Sequence, residues 1–168
     1  MLWGECIAGA MYVNDFITLC HEVGFKDPRQ IESHPIDVDD PELLEVVGNA
    51  KFFSITFRLF MLRNLERLCE DYGQVAVYKG TIDGHKHSYL LDDHHEFVTG
   101  KPALVCGNTA SMLEESWLKP HFAISGDRSI HYGEFPCGPS AATAKNYSEP
   151  SGGDGGACGS GECGSGCC

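Results

Sequence analysis

The 168-residue chain is short of positive charge, with 12 Lys and Arg residues against 24 Asp and Glu residues and a net charge of −12. Nucleic acids and anionic membrane surfaces attract clustered Lys and Arg, whereas the basic residues here are scattered. No apolar run approaches the roughly 20 residues that a membrane-spanning helix requires. The composition therefore predicts a protein that binds neither nucleic acid nor membrane.

The opening residues MLWGECIAGAMYV lack the basic segment with which a signal peptide starts, and they contain Glu5. A cytoplasmic protein is therefore the expected default. The same residues show neither a helix cap nor a strand start ahead of them, so we expect the chain to enter its fold midway.

Two kinds of catalytic machinery are missing from the sequence. No GxGxxG or related glycine-rich turn follows a predicted strand, which predicts that the chain has no nucleotide-type cofactor pocket. No Ser/His/Asp or Cys/His triad is recognisable, because Cys106 has no local base and Ser54 lies within a predicted strand. We therefore predict no catalytic residue in this chain.

The apolar fraction of 42% suffices for a buried core, and its periodicity predicts helices and strands in the first part of the chain. The predicted elements are, in order, a helix with Phe16, Leu19, Cys20 and Val23 on one face that ends at Gly24, a strand over residues 29–38, a helix from Asp40-Pro41 to Gly48 and a strand over residues 51–62. This order is typical of the closing elements of an α/β sheet.

A second unit is predicted after a helical connector over residues 64–73. Its predicted elements are, in order, a hairpin of residues 74–82 and 87–91 joined at Asp83-Gly84, a β pair of residues 96–99 and 103–105, and a helix capped by Asn108-Thr109 that runs to Leu118 with Met112 and Leu113 on its inner face. From Gly138 onward Gly, Ser, Ala and Pro dominate, so we predict that residues 138–168 are disordered.

A group of histidines lies in the predicted hairpin, where His85, His87, His94 and His95 stand beside three aspartates. Imidazole and carboxylate groups suit zinc or iron, so one interpretation is a metal site. The other interpretation is a solvated turn whose polar side chains point outward. We favour the solvated turn and predict no metal site there.

The cysteines are numerous and unevenly spaced, with nine in the chain. The tail has the pattern C-x4-C-x3-C-C, formed by Cys158, Cys163, Cys167 and Cys168. Thiolates prefer soft ions, so one interpretation is the capture of a thiophilic metalloid or metal. The alternative is a redox-active or merely tolerated tail. Cys6, by composition alone, is expected to be a small buried apolar residue.

Three separated segments carry a family resemblance. They are WGECIAGAMYVNDF with the helix and Asp27-Pro28-Arg29 that follow it, GNAKFFSITFRLF over residues 48–60, and YKGTIDGHKHSYLLDDHHEF over residues 78–97. In this order, and with a Cys-rich Gly tail, they resemble the late part of arsenite S-adenosylmethionine methyltransferases.

The resemblance implies an α/β fold, which would be α+β as an isolated fragment. Residues 1–63 would supply the closing helix and strands of a Rossmann-like methyltransferase sheet. A connector (64–73), a small mixed β/α C-terminal domain (74–137) and the disordered tail (138–168) would follow.

The resemblance also implies transfer of a methyl group from S-adenosylmethionine to trivalent arsenic held by cysteine thiolates. Cys6 matches the cysteine of the family's GEC segment and is the implied arsenic ligand, with the four tail cysteines as candidate auxiliary thiols. Ala50 stands where the family pattern places a second arsenic-binding cysteine, so Cys106 or a tail cysteine would have to substitute. A thiol reductant such as glutathione or thioredoxin is the implied partner.

The cofactor-binding part of that family would lie before Met1, so we expect this chain to be inactive alone. The alternative function is a non-catalytic, thiol-based metalloid- or metal-binding module that uses Cys6 and the tail thiols. A third interpretation is a poorly folding remnant with an exposed strand edge.

Overall fold

In the computed structural model, residues 7–137 are described. Within that range the chain is a mixed α/β fold of three α-helices, one 3-10 helix and nine short strands. No helix in this range combines the length and the apolar character that crossing a membrane requires. Cys6, the four tail cysteines and the predicted disorder of residues 138–168 all lie outside the described residues.

The N-terminal region, residues 7–58, holds two helices and one two-stranded sheet. Its elements are α1 (Val13–Glu22), β1 (Arg29–Ile36), α2 (Pro41–Val47) and β2 (Phe52–Arg58). β1 and β2 pair antiparallel, from Arg29 opposite Arg58 to Ile36 opposite Phe52. The Rossmann-like sheet remains a prediction, because the described residues contain only this antiparallel pair of it.

Local signals end α1 and begin α2 where the sequence predicts. Gly24 follows α1 with a φ of 105°, a conformation that glycine adopts without strain. The carboxylate of Asp40 accepts a hydrogen bond of 2.8 Å from the backbone N–H of Glu42, which caps α2. The predicted apolar face of α1 is buried only in part, because Cys20 is buried while Leu19 and Val23 are 46% and 55% exposed.

The strand predicted over residues 51–62 is shorter in the structure. The pairing of β2 with β1 ends where Arg58 lies opposite Arg29. Beyond that pair the chain leaves the sheet, and Phe60 becomes 6% exposed within the core of the following region.

The C-terminal region, residues 60–137, holds the main core. Its elements are β3 (Glu70–Asp71), β4 (Gln74–Tyr78), β5 (Ser88–Asp92), β6 (His95–Val98), β7 (Pro102–Val105), α3 (Gly107–Glu114), a 3-10 helix (Lys119–His121), β8 (Phe122–Ser125) and β9 (Gly133–Glu134). They form a three-stranded sheet in the order β7-β4-β8 and the pairs β5-β6 and β3-β9. The prediction of a helical connector over residues 64–73 is wrong, because this segment forms turns and the short strand β3.

The hairpin predicted at Asp83-Gly84 is correct as a turn and wrong as a strand pairing. The backbone N–H of His85 donates to the carbonyl of Ile82 across this turn, at 3.0 Å. β4 nevertheless pairs with β7 and β8, while β5 pairs with β6. The pairing predicted between residues 96–99 and 103–105 is also wrong, because β6 pairs with β5 whereas β7 pairs with β4.

The core of the C-terminal region packs around α3. Leu91, Val105, Met112, Leu113 and Leu118 are all 0% exposed, which confirms the predicted inner positions on the helix. The helix starts earlier than predicted and ends at Glu114 rather than Leu118. Its N-cap is not the predicted pair of residues 108–109, because the residue before Gly107 supplies the cap.

Candidate functional site

The pairing of β3 with β9 brings two cysteines together from distant parts of the sequence. Cys69 directly precedes β3, and Cys137 follows β9. The backbone N–H of Phe135 donates to the carbonyl of Cys69 at 2.7 Å, which extends the ladder by one bond beyond the paired residues. The N–H of Cys137 in turn donates to the carbonyl of Phe135 at 2.7 Å.

Cys106 comes from the opposite side, at the start of α3. It is 0% exposed and forms the N-cap of the helix, where its Sγ accepts a hydrogen bond of 3.5 Å from the backbone N–H of Thr109. The hydroxyl of Thr109 lies 3.3 Å from the same sulfur. The fixed β7–α3 junction therefore holds this sulfur in place.

The three sulfurs form one cluster. The Sγ atoms of Cys69, Cys106 and Cys137 all lie within 4.8 Å of one another. Cys106 is buried, whereas Cys69 and Cys137 are half-buried. Among residues 7–137 this is the one group of three or more His, Cys, Asp or Glu side chains with ligand atoms close enough to share an ion.

The three thiols of the cluster differ in pKa. Hydrogen bonds from Cys137 and Cys69, together with those from Thr109, lower the pKa of the Cys106 thiol well below its usual range. The hydrogen bond to Cys106 raises the pKa of Cys69 to about 12, and it raises the pKa of Cys137 as well. These shifts favour ionisation of Cys106 over that of Cys69 and Cys137, and a thiolate is the form of cysteine that binds metals.

A buried charge network lies behind Cys106. The guanidinium group of Arg29, 5% exposed, donates to the carboxylates of Asp27 and Asp92 at distances of 2.8–2.9 Å. It also lies 3.3 Å from the hydroxyl of Thr109, which contacts the cysteine sulfur. Arg29, the first residue of β1, thus reaches the start of α3 and places a cation near the sulfur of Cys106.

A second arginine fastens the loop between β8 and β9 to the helix. Arg128 donates to the carbonyl of Gly107 and to the hydroxyl of Ser111, each at 2.8 Å, and its guanidinium lies over the ring of Tyr72 at 5.4 Å. The ring of Tyr72 also leaves no room for a side chain at residue 107, because an added Cβ there would lie 2.9 Å from it. These contacts hold the β3–β9 ladder against α3, and with it the two half-buried cysteines.

Three converging sulfurs can bind a soft ion. Structural zinc sites are almost always four-coordinate, and no fourth His, Cys, Asp or Glu of residues 7–137 joins this group. A three-sulfur set suits an ion that takes three soft ligands. The same proximity also brings any two of the thiols close enough to be considered for redox chemistry.

Of the residues that the sequence analysis proposed for the arsenic site, the described structure includes only some. Cys6 and the four tail cysteines lie outside the described range. Ala50 is exposed in the loop between α2 and β2, and its methyl side chain offers no ligand atom. Cys106, which the sequence suggests as a substitute ligand, lies with Cys69 and Cys137.

The histidine segment forms hydrogen bonds within itself. The imidazole Nδ1 of His95 lies 2.7 Å from a carboxylate oxygen of Asp92, whose other oxygen receives Arg29. His94 lies 3.6 Å from Asp93. Within residues 7–137 no close group of three ligand atoms includes this segment, and the contacts of His94 and His95 lie at the β5–β6 turn.

Sequence reasoning missed the cluster. The sequence suggests Cys106 only as a substitute ligand, and neither Cys69 nor Cys137 carries a local motif. No C-x2-C spacing links them, so neither short-range pattern nor composition brings the three together.

Comparison with known proteins identifies related chains. The family described as "Arsenite methyltransferase C-terminal domain" matches residues 72–164. An arsenite methyltransferase of Aquipseudomonas alcaligenes is 49% identical over 139 residues, and those of Mus musculus and Homo sapiens are 36% and 32% identical over 127 and 126 residues. These alignments cover 82%, 74% and 74% of the chain.

A solved structure is similar as well. It is the crystal structure of an arsenic(III) S-adenosylmethionine methyltransferase from Chlamydomonas reinhardtii, with a TM-score of 0.75 and 64% sequence identity over 80% of this chain. The chain spans 45% of that protein, 40% of the bacterial relative and 32% of the mouse and human relatives.

Proposed function

The chain belongs to the arsenite methyltransferase family, and we propose that it is part of an enzyme that methylates trivalent arsenic with S-adenosylmethionine as the donor. The observation that carries this proposal is the agreement of fold and sequence with the algal arsenic(III) methyltransferase, at 64% identity and a TM-score of 0.75. The match of the family's C-terminal domain to residues 72–164 supports the same assignment.

We propose further that the methyl donor binds to polypeptide other than residues 7–137. A nucleoside cofactor approaches the backbone closely, and a glycine-rich turn between a strand and a helix permits this approach. In residues 7–137 none of the glycines with positive φ leads from a strand directly into a helix. This supports placing the donor elsewhere, and we assign no step of the transfer to residues 7–137.

Cys6 remains the proposed arsenic ligand at the site that the resemblance implies, with the tail thiols as auxiliary ligands. Ala50 has no donor atom where the family pattern has a second cysteine, so this site is short of one sulfur. A thiol reductant is the proposed partner, since free thiols are needed for arsenic to bind. The cytoplasm, where thiols are kept reduced, is the proposed location.

The test is methyl transfer from S-adenosylmethionine to arsenite, measured by the appearance of methylated arsenic in the presence of a thiol reductant. The 168-residue chain is compared with a longer protein in which the cofactor-binding part of a family member precedes it. We expect product from the longer protein and none from the chain alone. Methylation by the chain alone would overturn the placement of the donor pocket, and an inactive longer protein would overturn the enzymatic assignment.

A matched variant tests the missing ligand. Ala50→Cys in the longer protein restores a sulfur at the family position, and the expected result is faster methylation at low arsenite concentration. Ala123→Cys serves as the control, because it adds an exposed thiol in the C-terminal region, far from Cys6 in the sequence. An equal effect of both variants would show that position 50 is not special.

A second candidate function is a non-catalytic module that binds metalloids or metals through thiols. The grouping of three sulfurs within residues 69–137 favours it, because it needs neither a donor pocket nor a second subunit. The same assay separates the candidates, since this module would bind arsenite and never methylate it, even in the longer protein.

A further inference from the structure

We propose that Cys69, Cys106 and Cys137 form an arsenite site of their own, in which three sulfurs bind one trivalent arsenic. The identity of the ion rests on the proposed function, whereas the existence of a soft-ion site rests on the structure alone. This site is separate from the one implied for Cys6, and it uses none of the tail cysteines.

The geometry favours binding because the fold positions the ligands in advance. The three Sγ atoms already lie within 4.8 Å of one another, so binding requires only small side-chain rotations. Each sulfur comes from a different part of the framework: the start of β3, the cap of α3 and the segment after β9. Ligands held by the framework lose little conformational freedom on binding, which raises affinity.

The number of ligands selects the kind of ion. Trivalent arsenic forms three bonds and keeps a lone pair, so three sulfurs complete its coordination. Zinc normally takes four ligands in a structural site, and residues 7–137 offer no fourth His, Cys, Asp or Glu to this group. Calcium and magnesium prefer oxygen ligands, which excludes them from an all-sulfur set.

The burial of the cluster suits both entry and retention. Cys106 is 0% exposed, while Cys69 and Cys137 are half-buried and are therefore the more accessible sulfurs. An arsenic atom can therefore reach the outer sulfurs first and the inner one last. The buried side of the site also keeps water away from the inner As–S bond.

Binding is an exchange of ligands in which arsenic stays trivalent. Arsenous acid brings three hydroxyl groups, and each As–O bond is replaced by one As–S bond. Each hydroxyl leaves as water with one proton, taken from a thiol or, where a sulfur is already ionised, from the solvent. No electron is transferred, so no oxidant or reductant takes part in this step.

The experiment isolates the cluster from the other cysteines. In the full chain, Cys6, Cys158, Cys163, Cys167 and Cys168 are changed to Ser, which leaves the three cluster cysteines and Cys20. Native mass spectrometry then counts the bound arsenic per chain, and a titration with arsenite under reducing conditions gives the affinity. We expect one arsenic per chain.

Single substitutions in that background test the ligands. Cys69→Ser and Cys137→Ser each remove one sulfur from a half-buried position and should weaken arsenite binding by about a hundredfold or more, since two ligands lose the advantage of the third. Cys20→Ser is the matched control and should leave the affinity unchanged. Circular dichroism and thermal unfolding confirm that each variant is folded, and Cys106→Ser is scored by arsenic count only if it passes this check.

Three results would overturn the proposal. They are no arsenic bound to the folded chain, unchanged affinity in both Cys69→Ser and Cys137→Ser, and zinc binding that arsenite fails to displace. None of these uses the methyl donor, so a failure here leaves the proposed enzymatic function to be judged by methyl transfer alone. Conversely, a longer protein that fails to methylate would leave this binding result standing.

Discussion

In the N-terminal region Leu19, Val23 and Val46 are 46%, 55% and 70% exposed, whereas in the C-terminal region Leu91, Val105 and Met112 are 0% exposed. The difference is that β1 and β2 form a sheet of only two strands, while β4 lies between two neighbours with α3 packed against them.

The C-terminal region is the part of the chain in which the backbone around a binding site is held by several elements. A two-stranded sheet is at best marginally stable by itself. The three cysteines of the cluster all belong to the C-terminal region, where the backbone around them is tied by the β3–β9 ladder and by Arg128. The N-terminal region contributes to the site environment through Arg29, which lies near Thr109, and through Asp27, which accepts from the side chain of Asn108.

The largest expected effect on stability comes from Arg29, a buried residue that joins the two regions. Arg29→Met removes the partner of two buried carboxylates, Asp27 and Asp92, and should lower the free energy of unfolding by about 3–5 kcal/mol. Denaturant unfolding followed by circular dichroism measures it. The exposed Arg67→Met is the control and should change stability by less than about 0.5 kcal/mol. An equal, small loss in both variants would show that the regions are energetically independent.

Next come truncations of apolar side chains in the two regions. Leu91→Ala leaves a cavity in the C-terminal core and should cost about 2–5 kcal/mol. Val46→Ala, in a side chain that is 70% exposed, should cost less than about 1 kcal/mol. The same unfolding measurement gives both values. A large loss at Val46 would mean that the N-terminal region buries this residue in solution, which would remove the contrast between the regions.

The smallest expected effect is a dependence of stability on pH. Burial alone raises the pKa of Asp92, but the hydrogen bond and charge of His95, with the charge of Arg29, lower it to about 2. A carboxyl whose pKa is lowered by folding stabilises the fold above its unfolded pKa and loses that contribution as the pH falls. We therefore expect about 2 kcal/mol to be lost between roughly pH 4 and pH 2.

Asp92→Asn tests this pH dependence. The free energy of unfolding of this variant should no longer fall between pH 4 and pH 2. Near pH 2 it should approach that of the unmodified chain. Asp39→Asn, at an exposed position, should leave the pH profile as it was. Parallel profiles for Asp92→Asn and the unmodified chain would show that another group is responsible.

The sequence predicts structure well where the signal is local. The Asp40 cap, the end of α2 at Gly48 and the end of α1 at Gly24 depend on a few neighbouring residues, and all three are confirmed. The turn at Asp83-Gly84 is likewise local and correct. Strand pairing is not local, because β4 could take β5 or later strands as neighbours, and in the structure it pairs with β7 and β8.

The cluster could not be predicted for a related reason. Cys69 and Cys137 meet only because β3 pairs with β9, two strands of two residues each that show no alternation in the sequence. Cys106 joins them because it caps α3, a role for which cysteine is an uncommon residue. The resemblance of the whole chain to arsenite methyltransferases predicted the family correctly. It indicated Cys6 and the tail cysteines, rather than this cluster, as arsenic ligands.

The measurement that tests the central claim most directly is the arsenic X-ray absorption spectrum of the chain that keeps only Cys20 and the three cluster cysteines. We expect three sulfur neighbours around each arsenic and no oxygen, and two sulfurs with one oxygen after Cys69→Ser. A spectrum with fewer than three sulfurs in the unsubstituted cluster, or one that Cys69→Ser leaves unchanged, would contradict it.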